Sequence, residues 1–312
     1  MENSILGLHH ITAIAGDAQR NHDFYTKTLG LRMVKKTVNF DDPQTYHFYF
    51  GDESGTPGTI LTFFPWANVR QGKNGPGMAT EIGYSVPKGS LGFWKSRFES
   101  LGVKHDIISE RFGEKQLAIQ DPDGLWLNLI DAKQQDSRKG WETTAVNADV
   151  AIKGFHSVTL TLNSINETAG ILTDVFGYKL IDQDGNISRY QTDAVKTAAI
   201  VDLLEAPNAT KGINAGGTNH HVAFRVKDEE TLMEFRKKVI DQGLHITEKI
   251  DRNYFFSLYF REPGGVLFEI ATDNPGFATD ETVEELGHVL QLPAQYEPMR
   301  EKIEKVLPKL NV

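Results

Sequence analysis

The sequence predicts an α+β fold built from four consecutive βαβββ units, two in each of two domains, with curved sheets. Three observations predict it. Four short stretches share one pattern: "HITAIAG" from His10, "EIGYSVP" from Glu81, "SVTLTLN" from Ser157 and "HVAFRVK" from His221. Each is short and rich in β-branched or aromatic residues, which reads as a strand. Each is followed by a polar break and a helix-like segment that stops at a glycine: Gly30, Gly102, Gly177 or Gly243. Glycine just past a helix end is the residue suited to the left-handed cap. The third observation is spacing, since the strand-to-glycine distances are 20, 21, 20 and 22 residues, the regularity of an internal repeat.

The elements follow in order. In the first unit the helix-like "AQRNHDFYTKTLG" leads into "LRMVKKTV", "TYHFYF" and "GTILTFF", which read as three further strands. The second unit carries "GSLGFWKSRFESLG" and a last strand reached through the turn "DPDGLWLN", ending at Asn128. The third carries "INETAGILTDVFG", and the fourth carries "EETLMEFRKKVIDQG" with the matching turn "EPGGVLFE", ending at Glu269. Two units fill residues 1–132 and two fill 151–273, with 133–150 as a polar, aperiodic linker. Residues 274–312, with "VEELGHVLQL" and "PMREKIEKVL", read as a helical tail that packs or caps.

Composition narrows the function. A chain of 312 residues suits two domains. A net charge of -9 argues against a nucleic-acid partner, which would need a basic stripe. There is no cysteine, so thiolate metal sites, disulfides and cysteine nucleophiles are excluded. Any metal must be held by His, Asp or Glu. No run approaches the roughly 18 apolar residues of a membrane span, and no targeting segment is evident, so a cytoplasmic protein without a membrane partner is expected.

Superposing the four units puts His10, Glu81, Ser157 and His221 at one equivalent, inward-facing position, and the last strands add Asn128 and Glu269. His10, His221 and Glu269 then form a 2-His-1-carboxylate set with open coordination positions, suited to a non-haem Fe(II). Glu269 lies in the apolar "VLFEI", where an unpaired carboxylate would be costly to bury. Strand alternation sends His9 and His220 to the opposite face or the rim. Glu81, Asn128 and Ser157 lack a histidine, so no second metal is expected. His156 reads as structural, because a one-residue slip bringing it inward would turn every neighbour outward. His22 reads as an exposed helix residue. "GDESGTPGT" reads as a hairpin turn, lacking the context of a phosphate loop.

The motifs "LHHIT", "HHVAF" and "EPGGVLFEI", with "LGLRMVKKTVNFDDP", "YHFYFGDESGTPGT" and "DRNYFFSLYFREPGG", resemble the vicinal oxygen chelate superfamily of glyoxalases, bleomycin resistance proteins and extradiol dioxygenases. Within it the chain is similar to bacterial ring-cleaving dioxygenases specific for hydroquinones. The resemblance implies half-barrel sheets with helices outside, and Fe(II), with Mn(II) as the alternative, held by His10, His221 and Glu269. The substrates it implies are a small aromatic diol and O2, in aromatic degradation or quinone detoxification. It marks His9, Thr12, His220, Tyr254 and Arg261 as residues around the metal and substrate: His9 or His220 as proton acceptor, Tyr254 as a hydrogen-bond partner and Arg261 as the counterion of an anionic ring. Catechol-cleaving relatives would require a histidine at position 157, where Ser157 stands. A non-oxidative metalloenzyme or an aromatic-compound binding protein on the same scaffold are the alternatives. The first disfavours itself, because "GTILTFF" offers only Thr62 where a fourth ligand would stand. A homo-oligomer is compatible with all three readings.

Overall fold

The computed structural model describes residues 3–311. The first unit comprises β1 (Leu8–Ala15), α1 (Ala18–Asp23) with a wider π turn over Phe24–Thr28, β2 (Arg32–Val38), β3 (Tyr46–Gly51) and β4 (Ile60–Pro65). The second has β5 (Met78–Val86), α2 (Leu91–Leu101), β6 (Ser109–Arg111), β7 (Glu114–Gln120) and β8 (Trp126–Asp131). The third has β9 (Gly154–Leu162), α3 (Asn166–Gly170) with a π turn over Ile171–Val175, β10 (Lys179–Asp184), β11 (Ile187–Gln191) and β12 (Ile200–Glu205). The fourth has β13 (Thr218–Val226), α4 (Glu229–Asp241), β14 (Ile250–Asp251), β15 (Phe255–Arg261) and β16 (Leu267–Pro275). Short α5 (Arg300–Val306) lies in the tail.

Local chemistry sets the helix ends. Asp17 caps α1 by accepting from the Arg20 N–H, and Asp228 caps α4 by accepting from Thr231. The four glycines of the repeat all take positive φ, 71° at Gly30, 66° at Gly102 and 76° at both Gly177 and Gly243. A side chain would strain these positions.

The strands form two eight-stranded sheets, in the orders β14-β15-β16-β13-β1-β4-β3-β2 and β10-β11-β12-β9-β5-β8-β7-β6. Unit one is therefore joined to unit four and unit two to unit three, each through an antiparallel central pair. Each half of the chain gives one unit to each sheet. Within each half, one of the two related turns clasps the two sheets together. Asp121 accepts from the N–H groups of Asp123 and Leu125 at 2.9 and 2.8 Å, and from the Tyr25 hydroxyl of unit one at 3.0 Å. Glu262 accepts from the N–H groups of Gly264 and Val266 at 2.8 and 2.7 Å, and from the Thr168 hydroxyl of unit three at 2.6 Å. A buried carboxylate that binds its own turn and a neighbour's helix satisfies the polar groups of the turn without water.

The linker is less polar in its packing than in its composition, since Val146 is fully buried and the Trp94 indole donates to the Val150 carbonyl at 3.0 Å. The tail runs along β2, the edge of its sheet. Lys35 is completely buried, with Nζ 2.5 Å from both Asp280 and Glu281. Arg32 donates to the Glu284 carbonyl at 3.0 Å, and the Gln291 N–H donates to the Lys36 carbonyl at 2.9 Å. An edge that could pair with another chain is thus covered. His22 departs from expectation: it is buried, with Nδ1 3.2 Å from Asp23 on the short helix α1. Among the described residues no helix is long and apolar enough to cross a membrane.

Inside the second sheet, Arg189 makes a two-pronged pair with Asp202 and a 2.6 Å bond to Glu114, whose other oxygen lies 3.2 Å from His156. Burial alone would raise the Glu114 pKa, but His156, the Lys133 N–H and Arg189 hold it down at about 2. A depressed carboxylate stabilises the fold above its unfolded value of 4.5, and the contribution is lost as pH falls towards 2. Glu114→Gln is therefore expected to lower stability by about 2 kcal/mol at pH 7, after discounting for solvent at the rim. Urea unfolding at several pH values checks it: the gap between wild type and variant should close as pH falls from 5 towards 3.

Candidate metal centre

The paired histidines are placed by β-bulges. Along β1 and β13, Leu8 faces Phe224 and His10 faces Ala223, so His9 is an extra residue on β1. Further along, Thr12 faces His221 and Ala13 faces Asn219, so His220 is the extra residue on β13. The second sheet repeats this with Thr80 and His156. A bulge breaks the alternation of a strand and re-aims a side chain. That is why the opposite-face alternative for His9 and His220 does not hold: His220 lines the cavity beside His221, and His9 packs against His10. His9 is buried, and its Nδ1 lies 2.9 Å from His10 Nδ1. His220 Nδ1 lies 2.8 Å from His221 Nδ1. His156, the bulge residue of unit three, makes the same contact with the Ser157 hydroxyl at 3.1 Å.

His10, His221 and Glu269 converge, and they are the one group of potential metal ligands of this kind among the described residues. His10 Nε2 and His221 Nε2 lie 3.2 and 2.9 Å from Glu269 Oε2 and 3.4 Å from each other. Glu269 is fully buried, yet neither of its oxygens has a properly aimed hydrogen-bond donor. Two imidazole nitrogens and an orphaned carboxylate oxygen directed at a common point fit a divalent first-row metal. Burial opposes ionisation of Glu269, but the two imidazoles hold its pKa well below the usual range. Burial lowers the pKa of His221.

To hold a metal, His10 and His221 would present bare Nε2 atoms, with their protons on Nδ1, facing the bulge histidines. His9 then accepts on Nδ1 and donates from Nε2 to the Thr272 carbonyl, 3.1 Å away. Burial, reinforced by His10, pushes the His9 pKa well down, and burial with His221 brings His220 to about 3. Both rings are neutral at pH 7.

The register also shows what stands at the image of Glu269 in each unit. Glu269 lies beside Ala223, Thr62 beside Thr12, Asn128 beside Gly83 and Asp202 beside Thr159. Thr62 is thus the fourth position of the metal sheet. Its hydroxyl is 2.8 Å from that of Thr12 and 2.9 Å from His47 Nε2, while His47 Nδ1 meets the Tyr49 hydroxyl at 2.9 Å. In the second sheet, Glu81 is bound by Asn128 at 3.0 Å and Arg111 at 2.9 Å, and Asp202 is taken by Arg189. The carboxylates there are satisfied by protein groups.

A cavity of about 230 Å³ opens onto His10 and His221, walled by aromatic residues that include Phe64, Trp66, Phe255 and Tyr259. Of the sequence-predicted residues, Thr12 and His220 line it. His9 sits behind His10. Tyr254 is elsewhere: its hydroxyl donates to Asp280 at 2.9 Å, and its ring stacks on Phe277 beneath Lys35. Arg261 is exposed, donates to the Gly265 carbonyl at 2.7 Å and borders a second cavity of about 120 Å³ that His220 and His221 also line. The cavity instead holds His47, Arg252 and Tyr259, which sequence reasoning missed. Tyr259 is the cross-strand neighbour of Glu269, a signal available once register is known. Its phenol accepts from Ser257 at 3.4 Å, and the Arg252 guanidinium lies over its ring, 5.3 Å from the centroid. Burial and Glu269 raise its pKa, so it keeps its proton. The Arg252 Nε is buried without a partner.

The model for the Glyoxalase/Bleomycin resistance protein/Dioxygenase superfamily matches residues 7–129 and 154–270. The chain is 46% identical over 312 residues to MhqO of Bacillus subtilis (strain 168), provisionally named a ring-cleaving dioxygenase, covering 100% of this chain and 99% of that one. It is 37% identical over 308 residues to the chlorohydroquinone/hydroquinone 1,2-dioxygenase of Sphingobium indicum, covering 95% and 94%. A crystal structure from Bacillus subtilis, provisionally described as a dioxygenase, superposes with a TM-score of 0.95 at 45% identity, covering 99% of both chains. Glyoxalase I from Zea mays shares the fold at a TM-score of 0.62 and 16% identity, over 86% of this chain and 92% of that one.

Proposed function

Since the chain belongs to the glyoxalase/bleomycin resistance protein/dioxygenase superfamily, we propose that it is a ring-cleaving dioxygenase that opens hydroquinone-type rings with O2, using Fe(II) held by His10, His221 and Glu269. The observation that carries this reading is the three-ligand cluster at the end of an aromatic cavity, with Thr62 at the fourth position. When bound, the iron would supply adjacent open positions for a phenolic oxygen and O2 and the redox capacity to join them. A neutral threonine in place of a carboxylate leaves those positions free. The name of the Sphingobium relative supports a 1,4-diol over a catechol.

The remaining roles belong to this chain's side chains. Aromatic walls bind the ring and exclude water. Tyr259, accepting from Ser257 and kept protonated by burial, has its own proton to donate to a substrate oxygen. Arg252 brings a cation with a free Nε to the same wall, suited to charge that develops on the ring. His220 accepts from His221 through Nδ1 and keeps a proton on Nε2 for the cavity, which makes it a donor in this state. His9 holds the His10 ring through the Thr272 carbonyl and does not meet substrate.

Oxygen uptake tests the reading. Protein reconstituted anaerobically with Fe(II) is expected to consume O2 with methylhydroquinone and little or none with catechol. Mn(II) loading in parallel compares the two metals. A metal-loaded protein that consumes no oxygen with either ring would overturn the proposal and favour non-oxidative chemistry.

A further inference from the structure

We propose that Tyr296, in the tail beyond the last repeat, is a positioning residue for the mouth of the metal cavity. This rests on the dioxygenase reading only for the choice of substrate in the assay. The mouth is bordered by the segment between β2 and β3, whose Asn39, Phe40 and Asp41 line the cavity that holds His10 and His221. Within that segment the backbone closes on itself: the Asn39 N–H donates to the Thr45 carbonyl at 2.8 Å and the Thr45 N–H to the Asp42 carbonyl at 3.0 Å. It contacts the opposite wall through Asp41, 3.6 Å from Arg252. Asp41 is largely exposed, so that pair is weak.

The tail supplies the firmer hold. The Tyr296 hydroxyl donates to the Phe40 carbonyl at 2.7 Å, and the Tyr46 hydroxyl at the segment's other end donates to the Pro308 carbonyl at 3.0 Å. Just before the segment, Gln291 bonds Lys36. Contacts of the tail at 291, 296 and 308 thus meet positions 36, 40 and 46 in the same order. Residues contributed by neither the first unit nor the metal ligands therefore hold the backbone of Phe40 against the cavity. The chain carries an anchor for its substrate mouth 27 residues past Glu269 in sequence.

Tyr296→Phe removes one hydroxyl and keeps the ring. It is expected to raise KM for methylhydroquinone about 3- to 10-fold, the scale of one hydrogen bond. Turnover at saturation, metal content and melting temperature should stay within twofold or within error. Hydrogen exchange should quicken at the amides of residues 39–45 and stay unchanged in β1, β13 and β16. Tyr46→Phe, which cuts the second tie, should act in the same direction. An unchanged KM with unchanged exchange would overturn the proposal, as would a joint fall in kcat, metal content and melting temperature, which would mark Tyr296 as merely structural. A wild type that consumes no oxygen would instead defeat the dioxygenase reading, and the exchange comparison alone would then decide whether the tail holds the mouth.

Discussion

Glu269→Gln is expected to lose more than 99% of oxygen uptake, and with it the metal. Loss of an outer partner of a ligand already weakens metal binding about 10- to 100-fold, so loss of the one anionic ligand should exceed about 100-fold. The cause is electrostatic as well as geometric. Glu269 is fully buried, and its oxygens have no aimed hydrogen-bond donor to replace a cation. Glutamine keeps the shape but removes the charge. Metal titration followed by thermal unfolding separates these effects. Ligands that bind the native state raise stability by mass action, so Fe(II) or Mn(II) should raise the wild-type melting temperature and leave the variant's unchanged. A variant that still gained stability from the metal would show that Glu269 is not a ligand.

Tyr259→Phe is expected to lower turnover about 100-fold while metal content stays near that of wild type, the usual scale for losing one donor to charge that forms during reaction. The phenol stands beside Glu269 across the strands and meets the edge of the His221 ring, with centroids 5.6 Å apart. Its proton remains in place because burial raises its pKa. Tyr254→Phe provides the contrast. That hydroxyl serves Asp280 under the tail, so the change should alter stability and spare turnover. Steady-state kinetics and metal analysis of both variants check the pair. Equal activity in the Tyr259 variant would remove it from the mechanism.

The difference between these two tyrosines marks how far the site was legible. The repeat and its glycines were readable because a helix cap and a strand period leave local marks, and the convergence of His10, His221 and Glu269 followed from equivalence between units. Tyr259 and Arg252 were hidden because their placement depends on the register of β15 against β16 and on a turn without a period. The opposite-face alternative for His9 and His220 came from a sound rule. Alternation holds until a bulge inserts a residue, and the bulge is set by pairing between strands more than 200 positions apart. The joining of unit one to unit four was likewise a tertiary choice, although a metal shared between those units already required them to meet. His22 was read as exposed because its short helix gives too few turns for a face to show. The hold of the tail on the cavity mouth left no motif at all, since it runs largely through backbone carbonyls.

The pairing of the first unit with the last also sets the order in which the protein can be made. The second sheet needs only units two and three, which leave the ribosome consecutively. The metal sheet must wait: His10 and His221 are 211 positions apart, about 10–40 s of synthesis at ordinary rates. Until then β1 is paired only with β4 of its own unit, its other edge is open, and the unit holds one histidine of the three-residue cluster. Closing so long a loop is slow and cooperative, so the three residues that could hold a metal come together only at the end of folding. An interrupted chain has no complete three-residue cluster, and the completed one acquires that cluster and the strap at its entrance almost together.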